Sequence, residues 1–250
     1  MGEKYYFPFR TGQNLWEGFL ELLFPLPVTC LVCGEGLEQE TRKQPCDKCR
    51  SRVIKIRSPF CPKCGRHYRG EGRCLECRGS KMLFESAQAV GLYAGVLREC
   101  IHLFKYKKEL ALLPFFQDLM FEKLSRGAPS IDYVLPVPLH KKRETKRGFN
   151  QAELLAKKVS LFLNKPMLTG VLRRSRETES LSSLNHKERR EVIRGAFSVK
   201  SGCNKTIGSR VLLVDDVYTS GITLSECSRT LAGSGVERVY GLTLAIVAKE

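Results

Sequence analysis

Residues 211–223 read Val-Leu-Leu-Val-Asp-Asp-Val-Tyr-Thr-Ser-Gly-Ile-Thr. The opening run of apolar residues is typical of a strand buried in a parallel sheet, and it predicts a strand over 210–214. Two adjacent carboxylates, Asp215 and Asp216, follow where this strand ends, which is the edge at which open α/β sheets bind ligands. The next residues are small or hydroxylated, and a helix is predicted to begin at Thr223. This order of strand, acids, turn and helix predicts a ligand site.

The turn has the chemistry of a phosphate site. Its glycine lets backbone N–H groups approach an anion, its hydroxyls add donors, and the N-terminus of the following helix favours negative charge. The two carboxylates suit a vicinal diol, a Mg²⁺ ion, or both. The predicted ligand is therefore a sugar phosphate, with an acidic turn that only caps the helix as the structural alternative. The turn residues with these properties are Thr219, Ser220, Gly221 and Thr223.

The rest of the chain alternates between short apolar segments and amphipathic ones. This alternation predicts an α/β fold in which helices flank a mostly parallel sheet. Residues 173–195 show neither period, and they are predicted to form a long, charged, flexible loop, either a functional lid or a disordered segment. The predicted strands lie at 87–95, 132–138 and 236–247, and the predicted helices at 96–106, 110–124 and 151–162.

The charge of the chain is strongly positive and uneven. Its 250 residues include 42 Lys and Arg against 26 Asp and Glu, a formal net charge of +16. Residues 136–210 hold 18 basic and 6 acidic residues, a net of +12. The composition, which is 42% hydrophobic, excludes a wholly disordered chain, a collagen-like repeat and a membrane bundle. The charge instead predicts an anionic partner, namely nucleic acid, a nucleotide, a phosphorylated metabolite or an anionic membrane face.

Eight of the 11 cysteines form four Cys-x2-Cys pairs within residues 30–77. Two thiolates at this spacing can face one tetrahedral ion across a tight turn, and Gly34 and Gly65 follow two of the pairs. The pattern predicts a double zinc ribbon at 30–80 with two structural Zn²⁺ ions, each held by four thiolates. An oxidised scaffold and an iron–sulfur centre are the alternatives, and the spacing allows both sequential and interleaved pairing. The predicted zinc ligands are Cys30, Cys33, Cys46, Cys49, Cys61, Cys64, Cys74 and Cys77.

The remaining cysteines and the N-terminus carry weaker signals. Cys100, Cys203 and Cys227 share no spacing and are predicted to be buried or incidental thiols. Residues 15–24 predict a short amphipathic helix that is too short and too charged to span a bilayer. We expect this helix, within the segment 1–29, to pack on the body of the protein, with a membrane-interface or partner-docking helix as alternatives. No export signal is visible, which predicts a cytoplasmic protein.

Taken together, these features resemble the ComF family of competence-associated proteins, which join a phosphoribosyltransferase-like domain to an N-terminal zinc ribbon. Residues 211–223 resemble the phosphoribosyl pyrophosphate (PRPP) signature of type I phosphoribosyltransferases. The resemblance spans residues 15–247 and implies a type I phosphoribosyltransferase-like domain at 81–250, after the ribbon at 30–80. Three further segments carry it, namely Phe104-Lys105-Tyr106-Lys107, residues 137–151 with their Arg-Gly-Phe-Asn-Gln end, and Gly195-Ala196-Phe197.

The resemblance implies a role for each part of the site. Asp215 and Asp216 would be the catalytic acids that hold the ribose hydroxyls, and the turn after them would hold the 5′-phosphate. The loop after Pro136 would meet the pyrophosphate with Mg²⁺, since basic side chains suit phosphate. Similar proteins carry Gln and Asn where this chain has Leu181 and Val192. The implied PRPP ligands are Asp215, Asp216, Thr219, Ser220, Gly221, Thr223, Arg143, Lys146 and Arg147.

The resemblance also implies a function, and two classes fit it. The first is a competence protein that binds PRPP and single-stranded DNA and acts with DNA-uptake proteins in natural transformation, in the cytoplasm or at the periphery of the membrane uptake machinery. The second is a phosphoribosyltransferase that transfers ribose 5-phosphate from PRPP to an unidentified base-like acceptor. In the first, aromatic rings beside cations would stack on bases, whereas a solvated basic surface is the alternative. The nucleic-acid candidates are Tyr106, Lys107, Arg147, Phe149, Arg173 and Arg174.

Overall fold

The computed structural model describes residues 28–37, 44–176, 186–200 and 206–248. The predicted N-terminal helix at 15–24 lies outside these ranges. The strands are β1 (Ser86–Leu92), β2 (Tyr133–Pro136), β3 (Leu172–Arg174), β4 (Phe197–Val199), β5 (Arg210–Tyr218) and β6 (Arg238–Ile246). The helices are α1 (Asp47–Ser51), α2 (Leu75–Arg78), α3 (Gly95–Tyr106), α4 (Leu113–Ser125), α5 (Lys141–Arg147), α6 (Gln151–Leu163), α7 (His186–Ile193) and α8 (Ile222–Ala232).

Four strands form a parallel sheet in the order β1-β6-β5-β2, which confirms the predicted α/β architecture. β5 lies inside this sheet, with Val211 opposite Tyr133 of β2 and opposite Val239 of β6. Because the strands are parallel, the segments that follow β5 and β2 leave the sheet at the same edge. The two segments predicted to bind phosphate groups are therefore neighbours.

The side chains of β5 alternate between two hydrophobic cores, one on each face of the sheet. Leu212 and Val214 pack with α3, α4 and α6, whereas Val211 and Leu213 pack with α8 and with the second group of cysteines. Both cores are closed by helices, which is why four consecutive apolar residues are needed in this strand.

Among the described residues the longest helices, α4 and α6, have 13 residues each. A helix of that length rises about 20 Å, which is less than the hydrocarbon core of a bilayer. Within the described ranges, no helix combines the length and the apolar surface that crossing a membrane requires.

The segment between the two cysteine groups joins the edge of the sheet beside β1. The Ile56 N–H donates to the Val90 carbonyl at 3.0 Å, and the Leu92 N–H donates to the Ile54 carbonyl at 2.8 Å. Gly91 permits this approach, because an added Cβ would lie 2.7 Å from the Ile54 oxygen. The cysteine-rich segment is thus hydrogen-bonded to the edge of the parallel sheet.

The segment after β2 differs from the loop that the sequence predicted, because α5 forms over Lys141–Arg147. All seven of its residues are polar, so it shows no apolar period that would indicate a helix. Its ends hold it instead: His140 Nδ1 accepts from the Lys142 N–H at 3.4 Å, and Gly148 closes the helix with a φ of +86°.

The segment predicted as a flexible loop, 173–195, contains regular structure where it is described. β3 pairs antiparallel with β4, from Leu172 opposite Val199 to Arg174 opposite Phe197, and α7 precedes β4. Each of these strands has three residues, which is too short for a sequence period to reveal. Residues 177–185 lie outside the described ranges.

Candidate functional site

The acid pair lies near the C-terminal end of β5, which extends to Tyr218 and so includes both carboxylates. Asp215 Oδ1 accepts a hydrogen bond of 2.8 Å from the Asp216 N–H. Burial, and then the neighbouring charge of Asp216, raise the pKa of Asp215 to about 7. The site therefore contains a carboxyl group that titrates near neutral pH.

Lys105 is a site residue to which the sequence analysis assigned no role. It lies in the last turn of α3, and its Nζ is 2.7 Å from Asp216 Oδ1, with the two side chains only 15% and 12% exposed. Burial acts to lower the pKa of Lys105, but the charges of Asp216 and Asp215 outweigh it and raise the pKa above its ordinary value. Removing either partner of such a buried pair leaves an uncompensated charge, so Lys105 and Asp216 depend on each other.

The turn after β5 is fixed in shape by its glycine. Gly221 has a φ of +74°, and an added Cβ would overlap the Tyr218 side chain, so only glycine fits. Ser220 is buried and Thr219 is exposed, while Thr223 lies in the first turn of α8. Together with Asp215, the predicted phosphate ligands Thr219, Gly221 and Thr223 line one narrow cleft.

A second cleft lies beside the acid pair, and we call it the basic cavity. It has a volume of 370 Å³ and is formed by the end of α3 and by α5. The Arg147 guanidinium lies 5.4 Å above the centre of the Tyr106 ring and donates to Gln151 Oε1 at 2.9 Å. The residues around the basic cavity are Lys105, Tyr106, Lys108, Arg143, Lys146 and Arg147.

The basic cavity brings together residues that the sequence assigned to two different ligands. Arg143, Lys146 and Arg147 are the predicted pyrophosphate cations, and Tyr106 is a nucleic-acid candidate. Tyr106 as a whole residue is 61% exposed, so a ligand can reach it from solvent.

The other nucleic-acid candidates do not form one surface. Lys107 is exposed next to the basic cavity, but the Phe149 ring is half-buried and packs on Phe104 at 5.5 Å. Arg173 and Arg174 line a separate cavity of 690 Å³ between β3 and α5. Burial, and then the charge of Arg143, lower the pKa of Arg174, so these two cations lie in the same electrostatic neighbourhood.

The eight paired cysteines form two groups of four, and the groups follow the sequence rather than interleave. The metal-binding atoms within each group all lie within 4.8 Å of one another. The Sγ–Sγ distances are 3.8 Å for Cys30 and Cys49, and 3.7 Å for Cys64 and Cys74. A tetrahedral Zn²⁺ with bonds of about 2.3 Å separates its sulfur ligands by about 3.8 Å, whereas a disulfide needs about 2.05 Å. Both groups therefore fit structural zinc.

Two of the three unpaired cysteines are buried, as predicted. Cys100 lies in the core around α3, and Cys227 lies in the core around α8. Burial raises the pKa of both thiols, which disfavours the reactive thiolate. Cys203 lies outside the described ranges.

Known protein families match both the cysteine-rich part of the chain and the part that forms the parallel sheet. The double zinc ribbon domain matches residues 19–78, and the phosphoribosyl transferase domain matches residues 145–248. Competence protein F of Haemophilus influenzae is 30% identical over 224 residues, which cover 86% of this chain and 96% of that protein. The chain belongs to the competence protein F (ComF) family.

Other relatives of this ComF family member have names that refer to competence or to DNA utilization. Competence protein ComFC of Bacillus subtilis is 29% identical over 82% of the chain and 89% of that protein. DNA utilization protein YhgH of Escherichia coli K12 is 27% identical over 78% of the chain and 86% of that protein. Among solved structures, the adenine phosphoribosyl transferase of Trypanosoma brucei aligns with 58% of the chain and 68% of its own, at 14% identity and a TM-score of 0.37.

The resemblance implies polar residues at two positions where this chain has Leu181 and Val192. Val192 is half-buried in α7, where an apolar side chain suits a helix that carries the buried Ile193. Leu181 lies outside the described ranges. At Val192 the structure therefore has a half-buried apolar side chain where the resemblance implies a polar one.

Lys105 could have been found from one signal in the sequence. It follows the buried Ile101 by four residues and the buried Leu97 by eight, which places it on the apolar stripe of α3. A lysine at such a position needs a buried partner. The sequence does not reveal that this partner is Asp216.

Proposed function

We propose that this ComF family member binds PRPP with Mg²⁺ at the carboxyl end of β5, binds single-stranded DNA beside it, and acts in DNA uptake. One observation carries the proposal: an acid pair, a phosphate-type turn and the basic cavity adjoin one another, and Lys105 belongs both to the cavity and to the acid pair. The names of the relatives, which refer to competence and DNA utilization, support the nucleic-acid half of the proposal.

PRPP carries a 5′-phosphate, a ribose diol and a pyrophosphate, and each has a complement in the site. The turn at 219–223 offers backbone N–H groups and hydroxyls to the 5′-phosphate. Asp215 and Asp216 accept hydrogen bonds from the ribose hydroxyls. The cations of the basic cavity face the pyrophosphate, where arginine can bind two oxygens at once.

The donor set at the end of β5 also fits Mg²⁺. This ion prefers carboxylate and phosphate oxygens, and it retains several waters. Asp215 is a carboxyl group whose pKa is raised by burial and by Asp216, so a cation nearby stabilises its charged form. When bound with PRPP, Mg²⁺ would neutralise charge on the pyrophosphate. Arg143, Lys146 and Arg147 would bind the remaining pyrophosphate oxygens.

Single-stranded DNA offers phosphates and exposed bases, and the surface around the basic cavity suits both. Tyr106 provides a stacking ring, and stacking on an aromatic side chain contributes about 1–3 kcal/mol per base. Lys107 and Lys108 add cations beside the ring. Each phosphate contact releases counterions, so we expect oligonucleotide affinity to fall steeply as salt rises.

The site assignment is tested by calorimetric titration of the full chain with PRPP and Mg²⁺, comparing wild type with Asp215→Asn. The amide has the shape of the protonated acid, which this environment favours, so we expect the fold to be kept. We expect affinity to fall by about tenfold or more, because the hydrogen bonds to a charged acceptor are lost. Asp118→Asn, an exposed change on α4, serves as the control with unchanged affinity. Equal affinity of Asp215→Asn and wild type would overturn the assignment.

The pKa of Asp215 adds a pH dependence to the same titration. Burial and the charge of Asp216 raise this pKa to about 7, so below that pH the carboxyl group is mostly protonated and accepts diol hydrogen bonds poorly. We expect PRPP affinity to rise from about pH 6 to about pH 8, and part of that rise to vanish in Asp215→Asn. The part that remains reports the phosphate of the ligand, which also titrates near pH 6. Identical profiles for the two proteins would exclude titration of Asp215.

A second candidate function, phosphoribosyl transfer, is favoured by the same pKa, because perturbed acids cluster at catalytic sites. The reaction breaks the bond between the anomeric carbon and the pyrophosphate oxygen and joins that carbon to an acceptor nitrogen, which loses a proton. Asp215 and Asp216 would stabilise positive charge on the ribose. Pyrophosphate release from PRPP with a panel of nucleobases tests this function. If a base causes pyrophosphate release and Asp215→Asn abolishes that release, the result supports phosphoribosyl transfer. If none of the bases causes release, they are excluded as acceptors.

A further inference from the structure

The PRPP site and the DNA site proposed above share one cavity in this structure. The sequence assigned only Arg147 to both ligands, but the basic cavity also joins Arg143 and Lys146 to Tyr106. We propose that PRPP and single-stranded DNA compete for the basic cavity, so that the protein binds one or the other. This inference rests on the proposed function, since it requires that each ligand binds alone.

The size of the basic cavity is the first argument. Its 370 Å³ lies near the lower end of the roughly 300–1,000 Å³ that is typical of pockets for small ligands. A pyrophosphate group and a DNA phosphate held in a cavity of this size would compete for the same few cations. Two polyanionic groups enclosed together would also repel each other more strongly than in bulk water.

The contact between Tyr106 and Arg147 is the second argument. The guanidinium lies over the Tyr106 ring at 5.4 Å, so a base that stacks on that side takes the place of Arg147. The Arg147 side chain is also held by Gln151 Oε1 at 2.9 Å, at the start of α6. One arrangement thus presents Arg147 to a pyrophosphate, and the other exposes Tyr106 to a base.

Lys105 provides the third argument, because it makes the basic cavity continuous with the acid pair. Its side chain lines the cavity, and its Nζ lies 2.7 Å from Asp216 Oδ1. A ligand held by the acids can therefore reach the cavity with its far end. Ribose 5-phosphate, which lacks the pyrophosphate, would occupy the acids and the turn and leave the cavity open.

The test measures the affinity of a fluorescent oligothymidylate by anisotropy, at fixed Mg²⁺ and fixed ionic strength, with increasing PRPP. Competition multiplies the apparent Kd by one plus the ratio of the PRPP concentration to its Kd, so about 100-fold at a hundred times that Kd. Ribose 5-phosphate at the same saturation should change the oligonucleotide Kd by less than about twofold, which separates occupancy of the cavity from occupancy of the acids.

Each ligand is first titrated alone, so the failures are distinguishable. A chain that binds neither or only one ligand contradicts the proposed function. A chain that binds both, and whose oligonucleotide Kd is unchanged at saturating PRPP, overturns the competition alone. An equal effect of ribose 5-phosphate and PRPP also overturns it, because the pyrophosphate would then not be the competing group.

Two variants locate the overlap. Tyr106→Ala should weaken oligonucleotide binding by about tenfold, because a base stacks on this ring. Lys146→Gln should weaken the binding of both PRPP and the oligonucleotide, since both would contact this cation. Lys157→Gln, the same change on an exposed position of α6, is the matched control and should weaken neither. A Lys146→Gln variant that weakens only one ligand contradicts a shared cavity.

Discussion

The two zinc sites have the same ligand chemistry and nearly the same geometry, but they lie in different surroundings. In the first, Cys33 is exposed and Cys46 is half-buried, whereas all four cysteines of the second site are buried. Cys30 and Cys49 of the first site pack in the core that contains α3 and α4. The second site packs in the opposite core, together with Tyr218 at the end of β5.

This difference shows that the same four-cysteine motif can support two different parts of one protein. Tyr218 packs in the same core as the four cysteines of the second site, so its ring lies close to that site. The Tyr218 ring in turn occupies the space beside Gly221 in the predicted phosphate turn. We therefore expect the second site to support ligand binding and the first to support mainly the helical layer.

The largest expected difference is in PRPP affinity, and it arises when one zinc ligand is removed at the equivalent position of each zinc site. Cys64→Ser should lose one of two zinc ions and weaken PRPP by about tenfold or more, because structural zinc supplies on the order of 10 kcal/mol of folding free energy. Cys33→Ser should also lose one zinc ion but keep PRPP affinity within about threefold, since its site is remote from the turn at 219–223.

Zinc content by mass spectrometry and PRPP affinity by calorimetry are measured on the same preparations. If Cys64→Ser is insoluble while Cys33→Ser is soluble and binds PRPP, the result still supports a larger role for the second zinc site than for the first. Equal loss of PRPP affinity in two soluble variants that each retain one zinc ion would refute the assigned difference.

A smaller difference, in folding stability, is expected between alanine variants of Gly34 and Gly65, the glycines that follow two of the cysteine pairs. The two glycines have the same backbone conformation but different neighbours. Gly34 and Gly65 have φ values of +74° and +71°, so alanine at either position costs about 1 kcal/mol of backbone strain. An added Cβ meets nothing within 4 Å at Gly34, but at Gly65 it would lie 2.5 Å from the Ala87 carbonyl oxygen in β1. Overpacking adds about 1–3 kcal/mol, so we expect Gly65→Ala to lose about 3 kcal/mol in total.

Urea unfolding of Gly34→Ala and Gly65→Ala measures this difference, with the same slope required of both variants. Each glycine is the control for the other, because the strain is common and only the packing differs. Equal losses of unfolding free energy would show that the second ribbon does not press on β1 as the contact at Ala87 indicates.

The smallest expected effect tests the link between the second site and the turn. Tyr218→Phe removes only the hydroxyl that lies against Gly221, so the turn loses a packing contact and gains freedom. We expect PRPP affinity to fall by about threefold and zinc content to stay at two ions. Tyr93→Phe, on a half-buried ring beside the opposite core, is the control and should leave PRPP affinity unchanged. If Tyr218→Phe binds PRPP as tightly as wild type, Tyr218 does not connect the second zinc site to ligand binding by the turn.

Much of the fold could be predicted because it depends on local patterns. The predicted helix at 151–162 is observed over Gln151–Leu163, and the helix predicted at 96–106 is observed over Gly95–Tyr106. Elements without an apolar period escaped prediction, namely the polar helix α5 and the pairing of β3 with β4. Their formation depends on end contacts and on a partner more than twenty residues away along the chain.

The sequence by itself determined the chemistry: four Cys-x2-Cys pairs that bind zinc, and a strand, acid pair and glycine turn suited to a sugar phosphate. These features are local, because a few consecutive residues set both the side chains and the backbone that presents them. Only the tertiary structure decided that Lys105 pairs with Asp216, that Tyr106 shares a cavity with Arg147, and which zinc site adjoins the turn. Packing of the helices and ribbons against the sheet sets those distances, and no local pattern records them.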